Sequence, residues 1–94
     1  MKYDLIFQAL SIRHALEVYL EIWQGCKVEE YRSFEDILKE VKIKKSAGRR
    51  ITNRLSRLDL IASLKDPNSK DKRKRIYIIK NAYIANTLEN LLKA

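Results

Sequence analysis

The chain has 94 residues, 46% hydrophobic and 34% charged, with two Gly, one Pro and a single Cys. This holds one domain and excludes a two-domain enzyme, a low-complexity or collagen-like chain, and a disulfide-stapled miniprotein. Twenty Lys and Arg against twelve Asp and Glu leave a net charge of +8, and scarce Gly and Pro beside abundant Leu, Ile, Lys and Glu favour helices.

In chain order, Asp4 is placed to cap a first helix ending near Leu10, and Ser11 a second running from Ile12 to Gln24 and stopped by Gly25. Its broad apolar stripe is Ile12, Ala15, Leu16, Tyr19, Leu20, Ile22 and Trp23, with Arg13, Glu17 and Glu21 opposite, as in a core helix. Residues 25–32 lack helical periodicity and read as a loop with a short strand near Glu30-Tyr31-Arg32. Ser33-Phe34-Glu35-Asp36 is a capping-box start. The helix it opens buries Phe34, Ile37, Leu38 and Val41. A tight turn at Lys42-Ile43-Lys44 leads to a helix capped by Ser46 and ending at Leu58. Its apolar positions are Ala47, Ile51, Leu55 and Leu58, and its opposite face carries Arg49, Asn53 and Ser56. Two short helices joined by a turn, the second with an Arg/Asn/Ser face, form a helix-turn-helix arrangement.

Leu60 to Lys65 reads as a strand, residues 66–71 as turn chemistry, and Lys72 to Lys80 as a second strand with β-branched and aromatic residues. The two strands make a hairpin with a basic tip. Asn81 caps a last helix whose stripe is Tyr83, Ile84, Leu88, Leu91 and Leu92. The expected architecture is mostly α with a small β-hairpin: about five helices and a two- or three-stranded sheet, in one domain over 1–94.

The charge is uneven. Between Lys42 and Lys80 stand fourteen Lys/Arg and three Asp, a net +11, and the remainder has six bases and nine acids, a net −3. One cationic face on a neutral-to-acidic scaffold is the footprint of a polyanion binder.

Residues 33–80 resemble winged helix-turn-helix transcriptional regulators, most of all the MarR type. Ile51-Thr52-Asn53-Arg54-Leu55-Ser56-Arg57-Leu58-Asp59 is similar to the end of that family's recognition helix. The stretch from Asp66-Pro67 through Asp71-Lys72-Arg73 to Ile79 is similar to its wing, with two extra residues between Pro67 and Asp71. The opening, Ile6 to Gly25, looks more like the small ArsR-type regulators. The resemblance implies that Arg73 enters a minor groove and that Asp71 steadies it.

For a helix in the major groove, Arg pairs bidentately with guanine and Asn with adenine. Arg49, Arg50 and Asn53 are therefore the expected base readers. Ser33, Lys44, Lys45, Ser46 and Arg57, near helix ends, are expected on phosphates. Lys70, Asp71, Lys72, Arg73, Lys74 and Arg75 form the wing. Arg54, on the apolar side, is expected to pair with Asp36 or Glu40. The terminal helices are the remaining apolar surfaces for a homodimer, through Leu5, Ile6, Leu10, Ile84, Leu88, Leu91 and Leu92.

Enzyme chemistry has little footing. His14 reads as a surface or capping residue and lacks a nucleophile in motif spacing. Cys26 reads as a buried or free thiol, with a symmetric disulfide between two copies as the remaining option. No metal motif or phosphate-binding Gly loop exists, so no cofactor or metal is expected. No apolar run nears the ~20 residues of a membrane span, and the first residues lack a signal peptide's pattern. The expectation is a sequence-specific, homodimeric double-stranded DNA-binding regulator in the cytoplasm, associated with the nucleoid. The alternatives are a non-specific architectural binder and a winged helix that engages an acidic protein.

Overall fold

The computed structural model describes residues 2–93. Helix α1 (Lys2–Leu10) carries Asp4 within its first turn, where the carboxylate complements the helix dipole, and not at its cap. Ser11 belongs to the end of α1: its hydroxyl donates to the Gln8 carbonyl at 2.7 Å. Helix α2 (Ala15–Glu29) therefore starts three residues later than its apolar pattern suggests, with His14 at the cap position in the left-handed region at φ 68°. The His14 Nδ1 lies 3.2 Å from a Glu17 carboxylate oxygen.

Gly25 does not end α2, which runs four residues beyond it. A Cβ at Gly25 would stand 2.7 Å from the Tyr31 carbonyl oxygen and 2.7 Å from the Arg32 Cβ. The residue is glycine because the chain folds back against the helix there, a requirement that local pattern does not reveal. Gly25→Ala gains helix propensity of about 1 kcal/mol. It also overpacks a backbone contact, at a cost of about 1–3 kcal/mol. A net loss of stability is expected, read as a lower urea midpoint; an unchanged or higher midpoint would contradict it.

The chain then forms β1 (Arg32–Ser33), α3 (Phe34–Val41), α4 (Lys45–Arg57), β2 (Ile61–Lys65), β3 (Arg75–Ile79) and α5 (Ala82–Lys93). The Ser33 hydroxyl accepts from the Asp36 N–H at 3.2 Å, as its capping sequence requires. Lys42 closes α3 in the left-handed region, its N–H bonded to the Leu38 carbonyl at 2.9 Å. The α3–α4 turn is thus Lys42-Ile43-Lys44, with Ile43 packed against the core. Asn81 caps α5 through a 3.2 Å bond from the Ile84 N–H.

The sheet is antiparallel in the order β1-β3-β2, with Ser33 opposite Ile76 and Leu64 opposite Ile76 from the other side. Strand β1 is only two residues long, and β3 begins at Arg75, three residues later than the apolar alternation suggests, because 72–74 belong to the turn. The core gathers around α2. Val18, Tyr19 and Ile22 are fully buried and meet Ile37, Ile51, Leu55, Leu60 and Ile61. Burial pushes the Tyr19 phenol up to about 12. Cys26 is a free, half-buried thiol whose sulfur accepts the Ile79 N–H at 3.3 Å, tying α2 to β3.

Candidate nucleic-acid interface

Helix α4 buries Gly48, Ile51, Thr52 and Leu55, a different stripe from Ala47, Ile51, Leu55 and Leu58. At roughly 100° per residue the two stripes differ by about 55° of rotation. The cause is tertiary. A Cβ at Gly48 would stand 2.5 Å from the Leu38 Cδ2 and 3.2 Å from the Phe34 ring, so α3 crosses α4 at this position. Thr52 is buried without penalty because its hydroxyl donates to the Arg49 carbonyl at 3.2 Å.

This rotation redistributes the polar residues. Ser46, Arg50, Asn53 and Arg57 now stand on the outward face, and Lys45 and Arg49 move to the edge beside the β2–β3 loop. Ser46 is not the cap. Lys44 holds that position with extended backbone, and no side chain caps the helix. The first N–H groups of α4 are therefore left without a side-chain acceptor, an arrangement that favours an anion. Arg54 does not pair with Asp36 or Glu40. It is exposed beside a small hollow lined by Ala9, Ile12 and Ala15, because the rotation turns it toward α1 and α2.

The β2–β3 loop, residues 66–74, is folded upon itself. Asp66 Oδ1 accepts the Asn68 N–H at 2.9 Å, Ser69 Oγ accepts the Asp71 N–H at 3.1 Å, and the Asp66 N–H meets the Lys74 carbonyl at 3.0 Å. Asp71 Oδ1 accepts both the Arg73 backbone N–H, at 2.9 Å, and its Nε, at 3.2 Å. The Arg73 side chain stays 90% exposed and projects from the loop. Lys74 turns back to Glu35 of α3, with Nζ 2.7 Å from Oε1, and that contact raises its pKa. Lys70, Lys72 and Arg75 are exposed, and Ser33 is half-buried.

Between α3, α4 and the loop lies a cleft of about 550 Å³ lined by Lys45, Arg49, Arg73 and Arg75 beside Glu35, Asp66 and Asp71, and by the rings of Phe34 and Tyr77. The two rings lie 6.2 Å apart. Lys45, Arg49, Arg73 and Arg75 are thus brought together; Arg50 lies outside the cleft, exposed on the outward face of α4 at the border of the small hollow. Among the described residues no group of three or more His, Cys, Asp or Glu is placed to hold a metal ion. Among the same residues no helix is long and apolar enough to cross a membrane.

The Arg73 backbone N–H, then its side chain, holds the Asp71 carboxyl below the usual aspartate range. This contribution is complete above the pH at which an unfolded-chain aspartate titrates, and is lost as pH falls through the lower folded value. In an NMR titration Asp71 is expected to have a lower midpoint than the same residue in a peptide of residues 66–75. Equal midpoints would contradict the pairing.

HlyU from Vibrio cholerae superposes on the chain with a TM-score of 0.75 at 14% identity, covering 98% of this chain and 89% of its own. The chain has the winged helix-turn-helix fold. The Mycobacterium bovis protein Mb0332, described as a homodimeric winged helix-turn-helix DNA-binding domain and a possible ArsR-family regulator, gives a TM-score of 0.75 at 14% identity. That match covers 97% of this chain and 75% of the other. Rv0081 of M. tuberculosis gives 0.72 at 24% identity, covering 98% and 82%. No protein-family model matches the chain, and no curated protein matches it significantly. In winged-helix terms α3 and α4 are the helix-turn-helix pair and residues 66–74 are the wing.

The terminal helices divide into core and surface. Ile6 and Leu10 are buried within the single chain and so are not free for a partner, because α1 packs directly on α2. Ile84 and Leu88 are half-buried against the core, while Leu91 and Leu92 are 66% and 59% exposed. Leu5, Phe7 and Tyr83 are also exposed. Sequence periodicity missed Phe7, which lies on the outer side of α1.

Proposed function

We propose that the chain is a double-stranded DNA-binding transcriptional regulator that selects its site as a homodimer. In this reading α4 enters the major groove, with Arg50 and Asn53 on base edges and Arg49 at the wing-side edge. Lys44, Lys45, Ser46 and Arg57 meet phosphates, with Ser33 at the start of α3. Arg73, steadied by Asp71, reaches the adjacent minor groove, and Lys70, Lys72 and Arg75 supply charge around it. The observation that carries the reading is the coincidence of charge and fold. The net +11 segment between Lys42 and Lys80 comprises the helix-turn-helix turn, α4 and the wing, the parts that this fold uses on DNA.

Two copies support the reading because one small module supplies little specificity. The exposed Leu5, Phe7, Tyr83, Leu91 and Leu92 supply apolar surface on the terminal helices for the second copy. Selection of bound sequences from a random duplex pool tests the proposal. The expected product is a near-palindrome with half-sites about 10 base pairs apart, centre to centre. A pool without enrichment would overturn it.

A further inference from the structure

The wing is fastened to the body by two side-chain bonds from one short strip of chain. Asn68 Nδ2 donates to the Tyr31 hydroxyl at 2.9 Å, and Lys74 Nζ reaches the Glu35 carboxylate at 2.7 Å. Tyr31 and Glu35 flank β1, and β1 itself pairs with β3 at the wing's base. Strip 31–35 also carries Ser33, whose hydroxyl caps α3. One five-residue strip therefore sets the start of the helix-turn-helix and the attitude of the wing.

We propose that Tyr31 and Glu35 are positioning residues for the wing, holding residues 66–74 in the orientation that site selection requires without reading DNA themselves. The inference rests on the DNA-binding reading above. The loop's own hydrogen bonds define its shape, whereas only these two side-chain bonds, among those of the described residues, tie that shape to the remainder of the molecule. Exposed polar bonds of this kind contribute little to global stability. Their consequence is geometric: Arg73 lies between the two stakes in sequence, so releasing them broadens the positions its guanidinium visits.

Glu35 gives the proposal a distinctive sign. An acidic side chain at a DNA-facing edge repels phosphate, so charge alone predicts that Glu35→Gln tightens binding to every duplex. Positioning predicts instead that discrimination falls. The experiment uses the full chain as wild type, Tyr31→Phe, Glu35→Gln and the double variant. Affinities are measured for a selected duplex and a scrambled duplex at one salt concentration, beside amide hydrogen exchange without DNA.

In the double variant the ratio of selected to scrambled affinity is expected to fall at least threefold, with scrambled binding equal to or tighter than wild type. Exchange at Asp71, Arg73 and Lys74 amides is expected to quicken while the β2–β3 ladder keeps its protection, showing that the fold is intact. Wild type that selects, with variants that select equally well, would overturn the positioning role alone. Unchanged wing exchange would also overturn it. Wild type without any selectivity would overturn the site-selecting reading and this inference together.

Discussion

Asn53→Ala and Arg50→Ala are each expected to weaken binding to the preferred duplex by about 1–3 kcal/mol and to relax preference at one base position. Both residues are exposed on the face of α4 opposite Gly48, Ile51, Thr52 and Leu55. Neither has a hydrogen-bonding or ionic partner among the described side chains that would have to be broken for binding. Arg57→Ala, placed near the end of the helix, should weaken specific and random duplexes alike and reduce the salt slope by about one. Competition binding with single-base variants of the site separates these outcomes. Equal losses on specific and random DNA for Asn53→Ala and Arg50→Ala would remove the base-reading assignment and leave phosphate contact.

The second large effect concerns assembly. Leu91→Glu with Leu92→Glu is expected to give a folded monomer that binds DNA weakly. Both side chains are mostly exposed in the single chain, so a charge there does not enter the protomer's core. Burying a Leu in an interface is worth about 1.5–3 kcal/mol, and a twofold axis counts each residue twice. Leu88 is a poorer choice, because it packs against the core and its loss would damage the fold. Sedimentation decides the matter. Wild type that sediments as a monomer across micromolar concentrations would contradict the dimer, as would a double variant that remains dimeric.

Most of the fold was legible where the signal is local. Ser33 and Asn81 cap their helices because a short polar side chain can reach an N–H two or three residues on. The turn chemistry of Asp66 to Asp71 made the wing readable, and the Asp71–Arg73 contact lies within three residues. What was not legible depends on residues far apart in sequence. Gly25 looks like a helix stop until Tyr31 and Arg32 are seen to pass over it, and Gly48 looks unimportant until Leu38 occupies its missing side chain. Thr52 is polar, yet its own bond to the Arg49 carbonyl permits burial.

The candidate site inherits that error. A stripe chosen from Ala47 and Leu58 points Arg49 outward and Arg54 inward; the true stripe brings Arg50 and Arg57 outward and sets Arg49 beside the wing. The ties from Tyr31 and Glu35 to the wing span 37 and 39 residues and follow no spacing rule. No helical or strand periodicity reaches across such a distance.

The most direct measurement is equilibrium binding of the wild-type chain to a selected duplex and to a scrambled duplex of the same length and composition, at fixed salt near physiological strength. A site-selecting regulator is predicted to prefer the selected duplex by about a thousandfold or more, with both affinities falling as salt rises. Equal affinities would contradict it in favour of an architectural binder. Failure to bind either duplex would contradict it in favour of a winged helix that engages an acidic protein.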